Sequence, residues 1–321
     1  MIRKHSNAKI GLGLAALGRP EYINIRTNDA IDKSEIAFKN NAISVLDEAY
    51  KLGVRYFDTA PSYGKGEAFL KEWNLLRKHP DVVLGTKWGY TYMANWELGY
   101  NGKHEIKEHS LEKLLEQWEV SKSMLPELKY YQVHSATFES GILENQDVLN
   151  QLYVLKRETG LQIGITTSGA DQKEVITSAL NVKINALPLF DCFQVTYNVF
   201  EQSCFSVLKE ALKEGKTIII KEALANGRVF KNEKLLHNKT HVILETIAKK
   251  YNVGADALAL RFVIDSIEPT YVLSGASNKI QLKQNMEALN FVLEKEDLTL
   301  LRSLAVESDF YWEERANMIW N

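Results

Sequence analysis

The sequence predicts an α/β fold, a (β/α)8 TIM barrel in a single domain with long loops on its C-terminal face. Three observations predict it. Eight short runs of apolar, β-branched or aromatic residues recur along the chain, and their nearly continuous hydrophobicity suits strands buried on both faces of a parallel sheet. Amphipathic, helix-like segments separate the runs, and such alternation implies right-handed parallel crossovers. Eight repeats within 321 residues match a closed barrel better than an open doubly wound sheet.

In order, the runs are KIGLGLA (9–15), VRYFDT (54–59), VVLGTK (82–87), YYQVH (130–134), QIGIT (162–166), CFQVT (192–196), TIIIK (217–221) and TYVLS (270–274). Between them, AISVLDEAYKLG, SLEKLLEQWEVSKSML, QDVLNQLYVLKRETG and SCFSVLKEALKEG carry apolar residues at helical spacing. Gly53, Gly160 and Gly215 stand where a helix should stop. Three stretches exceed plain connectors: 19–41, 88–109 and the tail from 294, which holds Phe310, Tyr311, Trp312 and Trp320. Long loops on a rigid scaffold commonly build a binding site, and an aromatic tail can also cap the barrel. The expected organisation is one domain over 1–321, with the barrel at about 9–291 and a C-terminal segment at 292–321.

Composition excludes several classes. With 39 Lys+Arg against 41 Asp+Glu, the net charge of −2 gives no general electrostatic case for nucleic acid or an anionic membrane. No run approaches the roughly 18 apolar residues of a spanning helix. Two cysteines, Cys192 and Cys204, cannot build a disulfide framework, and no Cys/His spacing resembles a metal site. No metal is expected, and a cytoplasmic location fits. The start MIRKHSNAKIGLGLAALG is positive, but glycines interrupt its apolar run, so it reads as mature protein.

In a barrel of this kind the chemistry gathers at the C-terminal ends of the strands. Those ends read Asp58, Lys87, His134, Thr166, Gln194 and Lys221–Glu222. Charges that follow a buried apolar run are costly unless they pair or bind something. Taken singly, Asp58 and Lys87 read as a structural ion pair and His134 as a loop cap. Taken together with Tyr63, in DTAPSYGKGE on the same rim, they read as a site. An ammonium group near a phenol favours the phenolate, so Lys87 is expected to draw the Tyr63 pKa down and make it a better proton donor.

GLGLAALG, VRYFDTAPSYGKGE, GTKWG, YYQVHS, QVTYN and LSGASNKIQLKQN resemble the aldo-keto reductases, in order and with fitting spacing, from about Lys9 to Phe291. The resemblance implies a catalytic tetrad of Asp58, Tyr63, Lys87 and His134. Tyr63 would be the general acid/base, Lys87 its polariser, Asp58 the partner of Lys87, and His134 the residue that orients the substrate. It also implies a metal-free oxidoreductase that transfers a hydride between NADP(H) and an aldehyde, ketone or sugar.

GLGLAALG does not read as a Rossmann fingerprint, because the G-x-G-x-x-G spacing is absent. A better phosphate site is Gly275-Ala276-Ser277-Asn278, between the last strand and a helix-like KIQLKQNMEAL. Ser277 or Asn278 serves equally as an ordinary N-cap. By resemblance, Thr166 and Gln194 would meet the nicotinamide amide. Lys221, Glu222 and Leu224 would also bind the cofactor, with Gly275, Ala276, Ser277 and Gln281 at the phosphates and Gln284 and Asn285 at the adenine.

Three departures stand out. Thr166-Thr167 replaces the family's usual Ser-Asn, Lys221 replaces a stacking tyrosine, and Gly275 and Gln281 replace the Lys and Arg that grip the 2′-phosphate. The expected cofactor is NADP(H), with NAD(H) possible because those two cations are absent; Lys279 or Lys283 could compensate. Among the aromatics after Lys87 (Trp88, Tyr90, Tyr92 and Trp96) and in the tail (Phe310, Tyr311 and Trp312), Trp88, Tyr92 and Trp96, with Tyr311 and Trp312, are expected to wall the substrate pocket, although some can equally pack loops onto the barrel. The expected partner is a small carbonyl or alcohol, with no nucleic acid and no membrane, in a monomer or weak homo-oligomer. Two other readings are a cofactor-binding regulatory or scaffolding subunit of the same fold, and a hydrolase pairing Asp58 with Glu67 or Glu222.

Overall fold

Eight strands close into a barrel in the order in which they occur along the chain. The computed structural model describes residues 9–22, 32–230 and 238–318. Its barrel strands are β1 (Lys9–Gly13), β2 (Tyr56–Asp58), β3 (Val83–Trp88), β4 (Leu128–Ala136), β5 (Gln162–Thr167), β6 (Cys192–Thr196), β7 (Thr217–Lys221) and β8 (Tyr271–Ser274). Every neighbouring pair is parallel. The (β/α)8 expectation holds, and each predicted run supplies one strand. CFQVT and TIIIK coincide with β6 and β7, whereas YYQVH is the middle of a longer β4. Residues 1–8 at the chain start, 23–31 of the long first connection, and Trp320 lie outside the described residues.

The helices that follow the strands are α1 (Glu35–Lys51), α2 (Gly66–Arg77), α3 (Leu111–Ser121), α4 (Gln146–Thr159), α5 (Gln172–Leu180), α6 (Phe205–Lys213), α7 (Asn238–Lys250), α8 (Ala255–Ile267) and α9 (Lys279–Met286). Local chemistry marks their ends. Ser34 Oγ accepts from the Ala37 amide at 3.3 Å, and Ser110 Oγ from the Lys113 amide at 3.1 Å, each satisfying an N–H that has no partner within its helix. Gly160 ends α4 at φ 74°, a conformation that favours glycine. Two hairpins are inserted, Tyr90–Tyr92 against Glu105–Lys107 after β3, and Lys183–Ile184 against Leu187–Pro188. The tail forms α10 (Lys295–Arg302) and α11 (Ser308–Ala316).

Strand side chains alternate, so one set packs beneath the helices and the other fills the barrel. Phe57, Leu84, Val133, Ile165, Phe193 and Ile220 belong to the large outer core. Tyr56, Tyr130, Cys192, Ile219, Tyr271 and Leu273 form a separate inner cluster. The Tyr56 ring stacks on Tyr271 at 4.4 Å and meets Tyr130 edge-on at 5.4 Å. Small residues make room for it: a Cβ on Gly85 would come 2.4 Å from the Tyr56 hydroxyl, and one on Gly11 2.8 Å from its ring. Continuing along the same faces of β2, β3, β4 and β6, the next inward positions are polar: Asp58, Lys87, Gln132 and Gln194.

Trp88, expected to wall a substrate pocket, is fully buried in the outer core, 5.6 Å from the His109 ring. Lys87 points into the barrel, and alternation sends its neighbour to the opposite face. Trp88→Ala should therefore cost about 3–5 kcal/mol of stability, seen as an earlier midpoint in urea unfolding.

Candidate active site

Asp58 and Lys87 form an ion pair whose side chains are 2% and 1% exposed. Lys87 Nζ donates to Asp58 Oδ2 and to the Thr59 carbonyl, the latter at 3.0 Å. Asp58 Oδ1 accepts from the Tyr56 hydroxyl at 2.8 Å, Gln194 Nε2 at 2.9 Å and Gln132 Nε2 at 3.3 Å. Burying two ions costs several kcal/mol each unless pairing and further hydrogen bonds offset it. Here both carboxylate oxygens are occupied by donors.

The loop carrying Tyr63 is held by close backbone packing. The Lys65 amide donates to the Gly18 carbonyl at 2.9 Å, and a Cβ on Gly18 would lie 2.2 Å from the Tyr63 carbonyl oxygen. The last glycine of GLGLAALG thus supports the tyrosine loop by letting two backbones approach. Lys87 Nζ stands 4.8 Å from the Tyr63 ring centroid, and the His134 ring 5.6 Å away at 85°. His134 sits at an irregularity in β4, where pairing with β5 shifts register between Val133 and Ala136 and Ser135 adopts φ 51°. Such bulges re-aim a side chain next to a site. The Ser135 amide donates to Thr166 Oγ1 at 2.7 Å, and His109 Nε2–H donates to the His134 carbonyl at 2.9 Å.

The expected lowering of the Tyr63 pKa does not occur. Burial pushes the phenol well above its ordinary value, Asp58, Glu105 and Glu222 act in the same direction, and Arg19 opposes them. The field of Lys87 is offset by the carboxylate it binds, so Tyr63 stays a protonated donor. His134 is held well below its ordinary range by burial, then by Lys87 and Lys221, and is a neutral imidazole. Neither carboxylate suggested for a hydrolytic pair joins Asp58. Glu67 accepts from Ser121 Oγ at 2.8 Å and Thr86 Oγ1 at 3.3 Å, and Glu222 pairs with Arg315 at 3.5 Å.

The aldo/keto reductase family model matches residues 9–306. The chain belongs to the aldo/keto reductase family. An uncharacterized oxidoreductase of Bacillus subtilis, YqkF, is 31% identical over 116 residues, a match covering 36% of each chain. An aryl-alcohol dehydrogenase of Pestalotiopsis microspora is 23% identical over 287 residues, 81% of this chain and 71% of its own. A solved structure of a Gox0644 variant in complex with NADPH superposes with a TM-score of 0.60 at 22% identity, over 93% of this chain and 90% of its own.

In this aldo/keto reductase the remaining residues singled out from sequence divide into groups. Lys221 donates to Thr196 Oγ1 at 2.9 Å, and half-buried Leu224 lies in the loop beyond it. Gln194 already gives its Nε2 to Asp58. At the opening of α9, Asn278 Oδ1 accepts the Ile280 and Gln281 amides, both at 3.0 Å. Gln281 Oε1 accepts from Ser277 N at 2.9 Å and Ser277 Oγ at 3.0 Å. Ala276 is buried and its amide bonds to Ser274 Oγ at 3.3 Å, Asn285 Nδ2 donates to the same oxygen at 2.8 Å, and Gln284 is exposed.

The aromatic residues expected to line the pocket mostly fasten loops. Trp96 donates to the Lys33 carbonyl at 2.9 Å and packs edge-on to Phe38 at 5.4 Å. Tyr311 is fully buried, bonded to Asn198 at 2.9 Å, with Trp312 against its ring at 5.5 Å. Tyr92 packs against the Arg19 guanidinium at 5.0 Å. Two other rings stand at the mouth, Tyr90, 4.8 Å from His134, and Tyr22, 6.1 Å from Tyr63. Sequence reasoning did not assign Tyr22, or the supporting residues Tyr56, Gln132 and His109, and it named Tyr90 only as one of the aromatics after Lys87. The signal for Tyr56 and Gln132 was alternation, since each lies two residues before a tetrad member on its strand.

Burial also lowers the His109 pKa to about 4 from an ordinary 6.5. As pH falls below 6.5 the unfolded chain takes up protons at His109 and His134 that the folded chain refuses, so stability falls with pH. For His109 the expected slope between pH 6.5 and about 4 is up to about 1.4 kcal/mol per pH unit, and His134 adds to it in the same direction. Urea unfolding across that range checks it, and His109→Gln should flatten the slope.

Proposed function

We propose that this aldo/keto reductase uses NADPH to reduce an aromatic aldehyde or ketone, with Tyr63 as the proton donor. The observation that carries the reading is the cluster at the barrel mouth, where Lys87, bound to Asp58, stands beside Tyr63, and Tyr63 beside a neutral His134. When bound, the reduced nicotinamide supplies the hydride. Tyr63 and His134 orient the substrate oxygen by hydrogen bonds. Ser62 Oγ stands 3.4 Å from His134 Nδ1, which leaves Nε2 for that oxygen. As the oxygen gains charge, the Tyr63 hydroxyl proton moves onto it, and the nearby Lys87 ammonium stabilises the phenolate left behind. Asp58 holds Lys87 in place for that role. The half-buried rings of Tyr22 and Tyr90 flank the donors and favour a flat aryl group. The aryl-alcohol dehydrogenase relative supports the same substrate class.

The residues present fit the cofactor in three places. The Thr167 hydroxyl, at the end of β5, is buried and makes no hydrogen bond among the described residues. A Cβ added at Gly275 would meet no atom within 4 Å, so the β8–α9 loop is open on that side. At the N-terminus of α9 a phosphate would take over amides that Gln281 Oε1 and Asn278 Oδ1 hold here, those of Ser277, Ile280 and Gln281. Thr166, Lys221 and Glu222 would border the nicotinamide, with Gly275, Ser277 and Gln281 at the phosphates. The NADPH complex of the Gox0644 variant supports this choice of cofactor. Grip on the 2′-phosphate would be weak, because Gln281 Oε1 is tied to Ser277 and Lys283 to Glu48 at 3.2 Å.

Tyr63→Phe should lower kcat about 10²–10⁴-fold while leaving NADPH affinity, measured by tryptophan quenching, nearly unchanged. Turnover of a benzaldehyde panel that survives the substitution would remove Tyr63 from the proposed role. Binding without turnover in the unsubstituted protein would point to a regulatory subunit. Gly275→Lys should raise the preference for NADPH over NADH about tenfold, the worth of one charge-assisted contact, in paired nucleotide titrations.

A further inference from the structure

We infer that Tyr56, together with Gln132, is a positioning residue for the reaction, holding Asp58 so that one carboxylate oxygen alone faces Lys87. The inference rests on the reductase reading above and adds to it a support beneath the tetrad. Asp58 Oδ1 receives the Tyr56 hydroxyl at 2.8 Å and the Gln132 and Gln194 carboxamides at 3.3 and 2.9 Å, while Oδ2 receives Lys87. A carboxylate bound on one side only can rotate about its Cβ–Cγ bond. With Oδ1 fixed, Oδ2 has one place to be, and so has the ammonium it holds.

Tyr56 is itself closely packed. Its ring lies between Tyr271 at 4.4 Å and Tyr130 at 5.4 Å, and the interior faces of β1 and β3 carry glycine where its ring and hydroxyl pass. Gln132 is set in the same way: a Cβ on Gly164 would come 2.6 Å from its Cγ. Both side chains are fully buried, or nearly so. The chain therefore places two closely packed neutral donors directly under a charged pair, and the reading above gives neither donor a contact with substrate or cofactor.

The test compares Tyr56→Phe with Tyr271→Phe, which removes a hydroxyl from the same inner cluster but none from Asp58. Tyr56→Phe should lower kcat about ten- to a hundredfold, as misplacement of a reacting group does, with KM and NADPH affinity little changed. Tyr271→Phe should keep its kcat. The second readout needs no turnover: the 15N signal of the Lys87 ammonium, assigned by its loss in Lys87→Met, should broaden through faster proton exchange in Tyr56→Phe and persist in Tyr271→Phe. Gln132→Met, measured in the same two ways, decides the matter if Tyr56→Phe does not fold. An unchanged kcat and a sharp ammonium signal in a folded variant would overturn the inference, as would equal losses in the Tyr271 control. A wild-type protein without turnover would overturn the reductase reading alone, since the ammonium signal still reports whether Tyr56 holds the pair.

Discussion

A lysine ammonium and an aspartate carboxylate buried together inside the barrel set the terms for the rest of this structure. Removing either partner would leave an unpaired ion in the interior, at a cost on the order of 3–5 kcal/mol. Keeping both calls for further donors to the carboxylate, which the inner faces of β2, β4 and β6 provide to Oδ1 through Tyr56, Gln132 and Gln194. Those side chains are large, and the barrel is narrow. Glycines at 11, 85 and 164 are the consequence, since a single Cβ at any of them would enter the space the donors occupy. The polar upper half and the aromatic lower half of the barrel are thus one arrangement.

Outside the barrel, packing decides which residues remain available at the mouth. The tail helix α11 is fastened by Tyr311 to Asn198, by Ser308 to Glu201 at 3.0 Å, and by Arg315 to Glu222. Arg228 lies buried over the Tyr311 ring at 3.9 Å and donates to its carbonyl at 3.2 Å. An aromatic tail that looks like a pocket wall in sequence is therefore spent on attachment. The rings left beside the donors come instead from the first and third connections, as Tyr22 and Tyr90.

Burial also governs the electrostatics. It raises the phenol of Tyr63 and lowers the imidazole of His134, so both are neutral hydrogen-bond donors in the resting protein. Lys221 is likewise lowered by burial and faces the same mouth, with Glu222 opposing the shift. Its amine is bonded to Thr196 Oγ1 at 2.9 Å, and Lys87 adds to the downward shift.

The sequence by itself determined the architecture and which four side chains, Asp58, Tyr63, Lys87 and His134, meet at the barrel mouth. Alternating apolar runs and amphipathic segments are local patterns, and strand ends in a parallel barrel converge whatever fills the interior, so Asp58, Lys87 and His134 were legible from position alone. Tyr63 became legible by lying on the same rim. What only the tertiary structure decided was the role of residues whose neighbours are distant in sequence. Trp88 and Tyr311 turned out to be packing residues, Gln281 a loop clasp, and Tyr56 a support for Asp58. The direction of the Tyr63 shift was decided there too. Proximity of a lysine can be guessed from a strand order, but desolvation and the compensating carboxylate depend on everything that surrounds the site, and a linear pattern does not carry that sum.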